Sequence, residues 1–385
     1  MHGPVLDADS HLFERPDLWS THIDPAWRHA ALRIENDELG HPWLMQGNRR
    51  LMLTWLCEPG RYESIGDLIN DHREGRPARF NYATDLPATH WDPAVRRDLL
   101  DGWGVDESVC FPQWGINWEL WLGEDLDVLR ANMAAWNRWA ATVAQVGGGR
   151  LHPVGHVSLR GDLGWLDQQL AMLANNGVRL AMMSTGLVDG RRLSHPDLDA
   201  AWSMFCHHGV TPTFHVGGPS LTGLVDPAWT ANDDMDYMPM LSFPLHGFDA
   251  QLALSDLVLN GVLQRHPRMR VAVVELLSRW LLDLTFRVDA AYSTYHRISG
   301  HRLGQLNERP SDYLRRQVRV SAFAAEKPGT VMEQVGPMLM FGGDFPHPEG
   351  YASPLVEYRA KANEELDPAT SALFYGGNLA ELLHP

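Results

Sequence analysis

The chain has 385 residues, 44% of them apolar, with 32 basic against 48 acidic side chains and a net charge of −16. Such a balance excludes nucleic acid and anionic membrane as natural partners, and no run approaches the roughly 20 apolar residues of a membrane span. Three cysteines without CxxC spacing, Cys57, Cys110 and Cys206, read as reduced core thiols. With no basic, apolar leader ahead of Val5, they give the expectation of a cytoplasmic protein.

Short apolar runs alternate with helix-period segments almost to the end of the chain. Strands are predicted at Pro4–Asp9, Val105–Pro112, Leu151–Leu159, Val178–Ser184, Val210–His215, Arg270–Glu275, Val318–Phe323 and Met338–Asp344. Helices are predicted between them, at Leu126–Val146, Leu163–Asn175, His195–His207, Ala250–Arg265 and Trp280–Ile298 among others. Eight strands with intervening helices predict an α/β fold of the (β/α)8 TIM-barrel type in a single domain over residues 1–385. Two segments break the rhythm, at about residues 14–90 and 218–248, and are expected to be long capping insertions after strands 1 and 5. Several of the fifteen tryptophans, Trp114 among them, fall in loop-like contexts and suggest an aromatic-lined substrate cavity.

Polar side chains collect at the predicted strand ends. Asp9 and His11 close the first strand two residues apart, a spacing that puts both on one strand face. The third strand carries His156 within "PVGHVSL", and the fourth ends in Met182-Met183-Ser184 without a carboxylate or lysine. His215 ends the fifth strand before two glycines, and Glu275 follows the apolar run of the sixth. Asp344 stands in "FGGDFPHPEG", where a buried carboxylate needs a cation or a set of donors. Asp9, His11, His215, Glu275 and Asp344 together form the donor set of a divalent-metal site. His347, held between prolines, is expected to act with Asp344 in catalysis. His156, Trp114 and His246, the last in the second insertion, are candidate substrate contacts.

The stretches "DADSH", "FHVGG" and "GGDFPHPEG" resemble motifs of the amidohydrolase superfamily, in the branch that includes aminocarboxymuconate-semialdehyde decarboxylase. The resemblance extends over nearly the whole chain, through Asp92–Asp106, Ala131–Ala141, Gln264–Glu275 and Phe374–Leu383. It implies one or two divalent ions, Zn, Fe or Mn, and a homodimer acting on a small molecule. Decarboxylating relatives often carry a histidine where this chain has Glu275. The favoured expectation is therefore a hydrolase that uses metal-activated water to cleave an amide, ester, lactone or thioester of a largely apolar substrate, with Asp344 as general base. The alternative is a metal-dependent, non-oxidative decarboxylase of an aromatic or muconate-like acid.

Overall fold

A computed structural model describes residues 3–217, 240–299, 305–323 and 326–384. Its centre is a ring of short parallel staves in chain order. The first stave is Leu6–Asp7, resumed at His11–Leu12, and the second is Glu107–Pro112. The third comprises Leu151–Pro153 and Gly155–His156, followed by Leu180–Met182 and Thr211–His215. Val271–Val274, Val318–Ser321 and Leu339–Met340 complete the set. Each stave pairs in parallel with the next in sequence, as where His215 lies opposite Val274 and Val320 opposite Leu339. Hydrogen bonds join the last stave to the first: Ala8 N–H donates to Phe341 O at 2.8 Å and His11 N–H to Phe345 O at 2.7 Å. This is the TIM-barrel fold, and the helices lie between its staves.

Period-two alternation explains the layers. Ala272 and Val274 pack with Leu6, Val109, Val154, Leu180 and Met340 in one apolar cluster. Val271 and Val273 pack in another with helix residues such as Leu254, Leu257 and Leu284. The first cluster is the barrel interior and the second the layer between staves and helices. Helix ends follow ordinary capping chemistry. Asp92, Asp125 and Asp162 accept from first-turn amides, and Gly104, Gly148 and Gly209 end their helices in the left-handed conformation.

Leu163–Asn175 spans the predicted residues, and Leu126–Gly147 runs one residue beyond its prediction. The helix predicted over Ala250–Arg265 is two helices, Phe248–Leu259 and Val262–Arg265, because Gly261 takes φ 75° between them. The segment predicted as helix from His195 starts with a 3-10 turn and becomes α-helical only over Asp199–His208.

The first insertion builds an antiparallel sheet, Leu32–Asn36, Pro42–Gln46 and Arg49–Leu53, followed by the helix Glu63–Arg73. Its apolar faces share a cluster with Trp114, Trp118, Leu129 and Trp136. It reaches the eighth-stave loop, where Cys57 Sγ–H donates to Pro346 O and Gly60 N–H to Pro348 O. Of the second insertion, residues 218–239 lie outside the described residues. No described helix is long and apolar enough to cross a membrane.

Candidate metal centre

The site lies where the C-terminal ends of staves one, five, six and eight converge. His11 and His215 sit on staves whose alternation carries them inward. The first stave is interrupted at Ala8–Asp9, so Asp9 itself is not in a strand, yet its Oδ1 lies 3.7 Å from Nε2 of both histidines. Glu275 is one residue past its stave and would face outward by alternation. A left-handed backbone, φ 56°, turns it back, and its Oε2 lies 3.3 Å from both His11 Nε2 and His215 Nε2.

The eighth stave ends at Met340, four residues before Asp344, rather than at the aspartate as the sequence reading had it. Between them Gly342 and Gly343 allow a close approach: a Cβ on Gly343 would stand 2.7 Å from Pro354 and 2.8 Å from Asp7 Oδ2. Asp344 adopts φ 50°, and its Oδ1 lies 3.5 Å from His11 Nε2. Left-handed φ at two non-glycine residues whose carboxylates face the same histidine is strain concentrated at one site.

Both histidines are oriented by backbone carbonyls. His11 Nδ1 is 3.1 Å from Pro112 O and His215 Nδ1 is 3.0 Å from Val216 O. A carbonyl only accepts, so each Nδ1 carries the hydrogen and each Nε2 presents a lone pair. Asp9 Oδ1, His11 Nε2, His215 Nε2, Glu275 Oε2 and both Asp344 carboxylate oxygens are buried, with no hydrogen-bond partner among the described residues. Asp9, His11, His215 and Glu275 offer donor atoms within 4.8 Å of one another, as do His11, Glu275, Asp344 and His347. Six orphaned acceptors in two overlapping groups that share His11 and Glu275 fit a divalent cation, the partner that such burial demands.

The electrostatics agree. Burial, with Asp344 and Asp9 adding repulsion, pushes Glu275 well above the carboxylate range. Burial and Asp9 do the same to Asp344. Burial, then His347 and His215, hold His11 well below the histidine range. Asp7 is raised to about 8 by burial, although it accepts from Asp9 and Gly343 amides.

His347 Nδ1 is 2.6 Å from Asp344 Oδ1 and 3.9 Å from Glu275 Oε1. Its Nε2 is 2.9 Å from Gln113 Oε1. Gln113 escaped the sequence reading, and its only signal is its position directly after the second stave. Trp114 is buried beside it, with Nε1–H donating to Tyr82 OH at 2.9 Å and its ring 5.0 Å from Trp55. Trp55 in turn stands 6.0 Å from His347, so Trp114 supports the wall of the site from behind. His246 is half-buried, with its ring 5.1 Å from Phe243, and belongs to neither donor group. His156 is buried and stacked on Trp118 at 5.0 Å and 11°. It lines a pocket next to His215 together with Glu119, a second residue that the sequence reading missed.

No family model and no curated protein matches the chain. Solved structures do. An amidohydrolase, map2389c, from Mycobacterium avium subsp. paratuberculosis superposes with a TM-score of 0.79 at 21% identity, over 100% of both chains. The IDCase of Metarhizium anisopliae gives 0.68 at 18%, over 99% of this chain and 97% of that one. The 5-carboxyvanillate decarboxylase LigW2 of Novosphingobium aromaticivorans, solved with manganese and 3-methoxy-4-hydroxy-5-nitrobenzoic acid, gives 0.67 at 17%, over 100% and 98%. The chain has the fold of these neighbours, one of which is an amidohydrolase.

Proposed function

We propose that the chain is a metal-dependent hydrolase that cleaves an acyl bond of a small, largely apolar substrate. The observation that carries this reading is the set of orphaned buried acceptors on Asp9, His11, His215, Glu275 and Asp344. Asp9, His11 and His215 would hold one divalent ion, with Asp344 completing its shell and Glu275 able to share a second. A bound cation polarises an acyl carbonyl and lowers the pKa of water.

The chain's own groups then handle protons. Asp344 accepts the proton of the attacking water as its oxygen bonds to the acyl carbon. His347, with Nε2–H anchored on Gln113 and Nδ1 facing Asp344 Oδ1, passes that proton to the departing atom as the acyl bond breaks. Trp55, Trp114 and Phe13 form an aromatic wall behind His347 that limits water on that side.

Hydrolysis is preferred over decarboxylation on charge. Among the described residues, the ion-pair partners of Asp9, Glu275 and Asp344 are histidines alone. Three carboxylates outweigh one divalent ion, so a substrate carboxylate entering a one-metal site meets net repulsion. An uncharged acyl group does not. The second reading, decarboxylation of an aromatic acid, is favoured by the manganese-bound carboxyvanillate decarboxylase whose fold this chain shares. Glu275, raised by burial, would then be the acid that protonates carbon.

Product analysis separates the two. The metal-loaded protein is incubated with a panel of apolar esters, lactones, thioesters and aryl carboxylic acids. Hydrolysis gives a new carboxylic acid and a leaving group; carbon dioxide from an aryl acid, with every acyl compound intact, would overturn the hydrolase reading.

A further inference from the structure

Beside the metal centre is a pocket whose chemistry the proposed reaction does not use. His215 belongs to both. Most of its lining comes from the tips of the third and fourth staves and from the short helical turns after the second: His156, Met182, Met183, Ser184, Ile116 and Glu119, with Thr185 and Gly217 beside them. Ile116, Met182 and Met183 supply an apolar, adaptable wall. The Glu119 carboxylate is hydrogen-bonded by Ser158, yet one of its oxygens and one nitrogen of His156 interrupt the wall without a partner. His156 Nδ1 and Glu119 Oε1 are both buried and accept no hydrogen bond among the described residues. His156 is 3% exposed and braced by its stack on Trp118 and by the Asn137 amide on its backbone.

Unpaired groups of this kind are costly in an empty protein interior and tolerable where a ligand completes them. Among the described residues the lining contains no Arg or Lys, so none of them would offset an anion. The Arg160 guanidinium near Glu119 is bound to Asp189 and Gly123. Burial raises Glu119 to about 7 and lowers His156 to about 3. Around neutrality the imidazole is therefore uncharged, and the carboxyl is divided between its neutral and ionised forms.

We propose that this pocket is the specificity subsite of the enzyme, and that Glu119 and His156 read an uncharged hydroxyl or amide N–H carried on an apolar part of the substrate, next to the bond being cleaved. Glu119 Oε1 accepts the ligand's hydrogen, and His156 fixes the polar atom from the stave side while the methionines cover the apolar body. Glu119 and His156 are positioning residues here and take no part in bond breaking. The proposal rests on the reading of the adjoining centre as the reacting site.

The test uses the full chain as purified with its metal, and two probes of nearly equal shape, cyclohexanol and methoxycyclohexane. Binding is followed by ligand-observed NMR for the wild type, Glu119→Gln, Glu119→Leu and His156→Leu. The alcohol should bind about tenfold more tightly than the ether, the net worth of one hydrogen bond. Glu119→Gln should retain most of that preference, since an amide oxygen still accepts, whereas Glu119→Leu and His156→Leu should remove it. Equal binding of the two probes by wild type, or a preference untouched by Glu119→Leu, would overturn the proposal. The first outcome means a purely apolar pocket and the second means alcohol bound at the metal. Glu119→Met, close to glutamate in size and without an acceptor oxygen, should also lose the preference and keeps the test decisive should the leucine variants misfold. A chain that binds no metal yet keeps the Glu119-dependent preference would remove the hydrolase reading while leaving the subsite standing.

Discussion

His347 Nδ1 stands 2.6 Å from Asp344 Oδ1, three residues away on the same loop, while its other nitrogen is held by Gln113 from the turn after the second stave. A carboxylate that also faces His11 is thereby coupled to a ring fixed at both ends. That pairing makes Asp344 more than one ligand among several, since it connects the cation-binding cluster to a path by which a proton can leave.

Replacing Asp344 by Asn keeps its size and removes its basicity. The variant should fold with an unchanged circular dichroism spectrum and lose about 10²–10⁴ in kcat, the range of a positioned general base. Near-normal turnover would remove Asp344 from the proton path.

Gln113 acts only through His347. Gln113→Leu leaves His347 Nε2 without its acceptor and frees the ring to turn, so kcat should fall by about tenfold with little change in KM. Metal content should stay at the wild-type level. A variant that loses metal instead would place Gln113 in support of the donor cluster rather than of the proton path.

The loop carrying Asp344 is closed by a glycine. A Cβ on Gly350 would lie 2.0 Å from Asp344 O and 2.6 Å from its carbonyl carbon, both backbone atoms with little freedom to give way. Gly350→Ala should therefore cost about 2–4 kcal/mol of stability in chemical denaturation and weaken metal binding, because relief of the clash moves Asp344. Gly149→Ala is the control. It sits in a surface turn at φ 82° with nothing within 4 Å; it should cost only about 1 kcal/mol from its backbone conformation and leave metal binding intact.

Stability against pH distinguishes the two groups of the proposed subsite by sign. His156 is lowered to about 3 by burial, so the native state holds it neutral where an unfolded chain, near pH 6.5, would protonate it. Its contribution is complete above 6.5 and is lost as pH falls towards 3, by about 1.4 kcal/mol per pH unit. Glu119 is raised to about 7. Its contribution is complete below 4.5 and is lost as pH rises from there towards 7. Denaturant titrations between pH 4.5 and 6.5 should therefore show a shallower rise of stability with pH for His156→Gln than for wild type, and a steeper rise for Glu119→Gln. Parallel curves for all three proteins would mean that neither group is held in its uncharged form.

Much of this was legible in the sequence, for physical reasons. Buried parallel staves such as Val271–Val274 are unbroken apolar runs flanked by helix-period segments, and that pattern sufficed to predict the fold. The convergence of Asp9, His11, His215, Glu275 and Asp344 followed from placing each at a stave end. What escaped was local backbone geometry. Period-two reasoning assumed that Asp9 and His11 share one continuous strand, whereas the strand stops at Asp7 and resumes at His11. It also took Asp344 for the tip of the last stave, which ends at Met340. The left-handed turns at Glu275 and Asp344 bring their carboxylates inward, and no residue-type signal announces them. Gln113 and Glu119 were missed because one lies in the turn after the second stave and the other in the short helix Trp118–Leu122 that follows it, whose path tertiary packing sets. Trp114, read as a cavity lining, is a supporting wall, since its only polar atom is satisfied by Tyr82.

The central claim is that the orphaned acceptors of Asp9, His11 and His215 hold a divalent cation. Elemental mass spectrometry on protein purified without added metal or chelator, beside a His11→Gln/His215→Gln double variant of the same fold, tests it most directly. Wild type should carry at least one equivalent of Zn, Mn or Fe per chain, approaching two if Glu275 shares a second ion, and the double variant should lose at least one equivalent. A metal-free wild type that takes up none of the three ions, or a metal content unchanged by the double substitution, would contradict it.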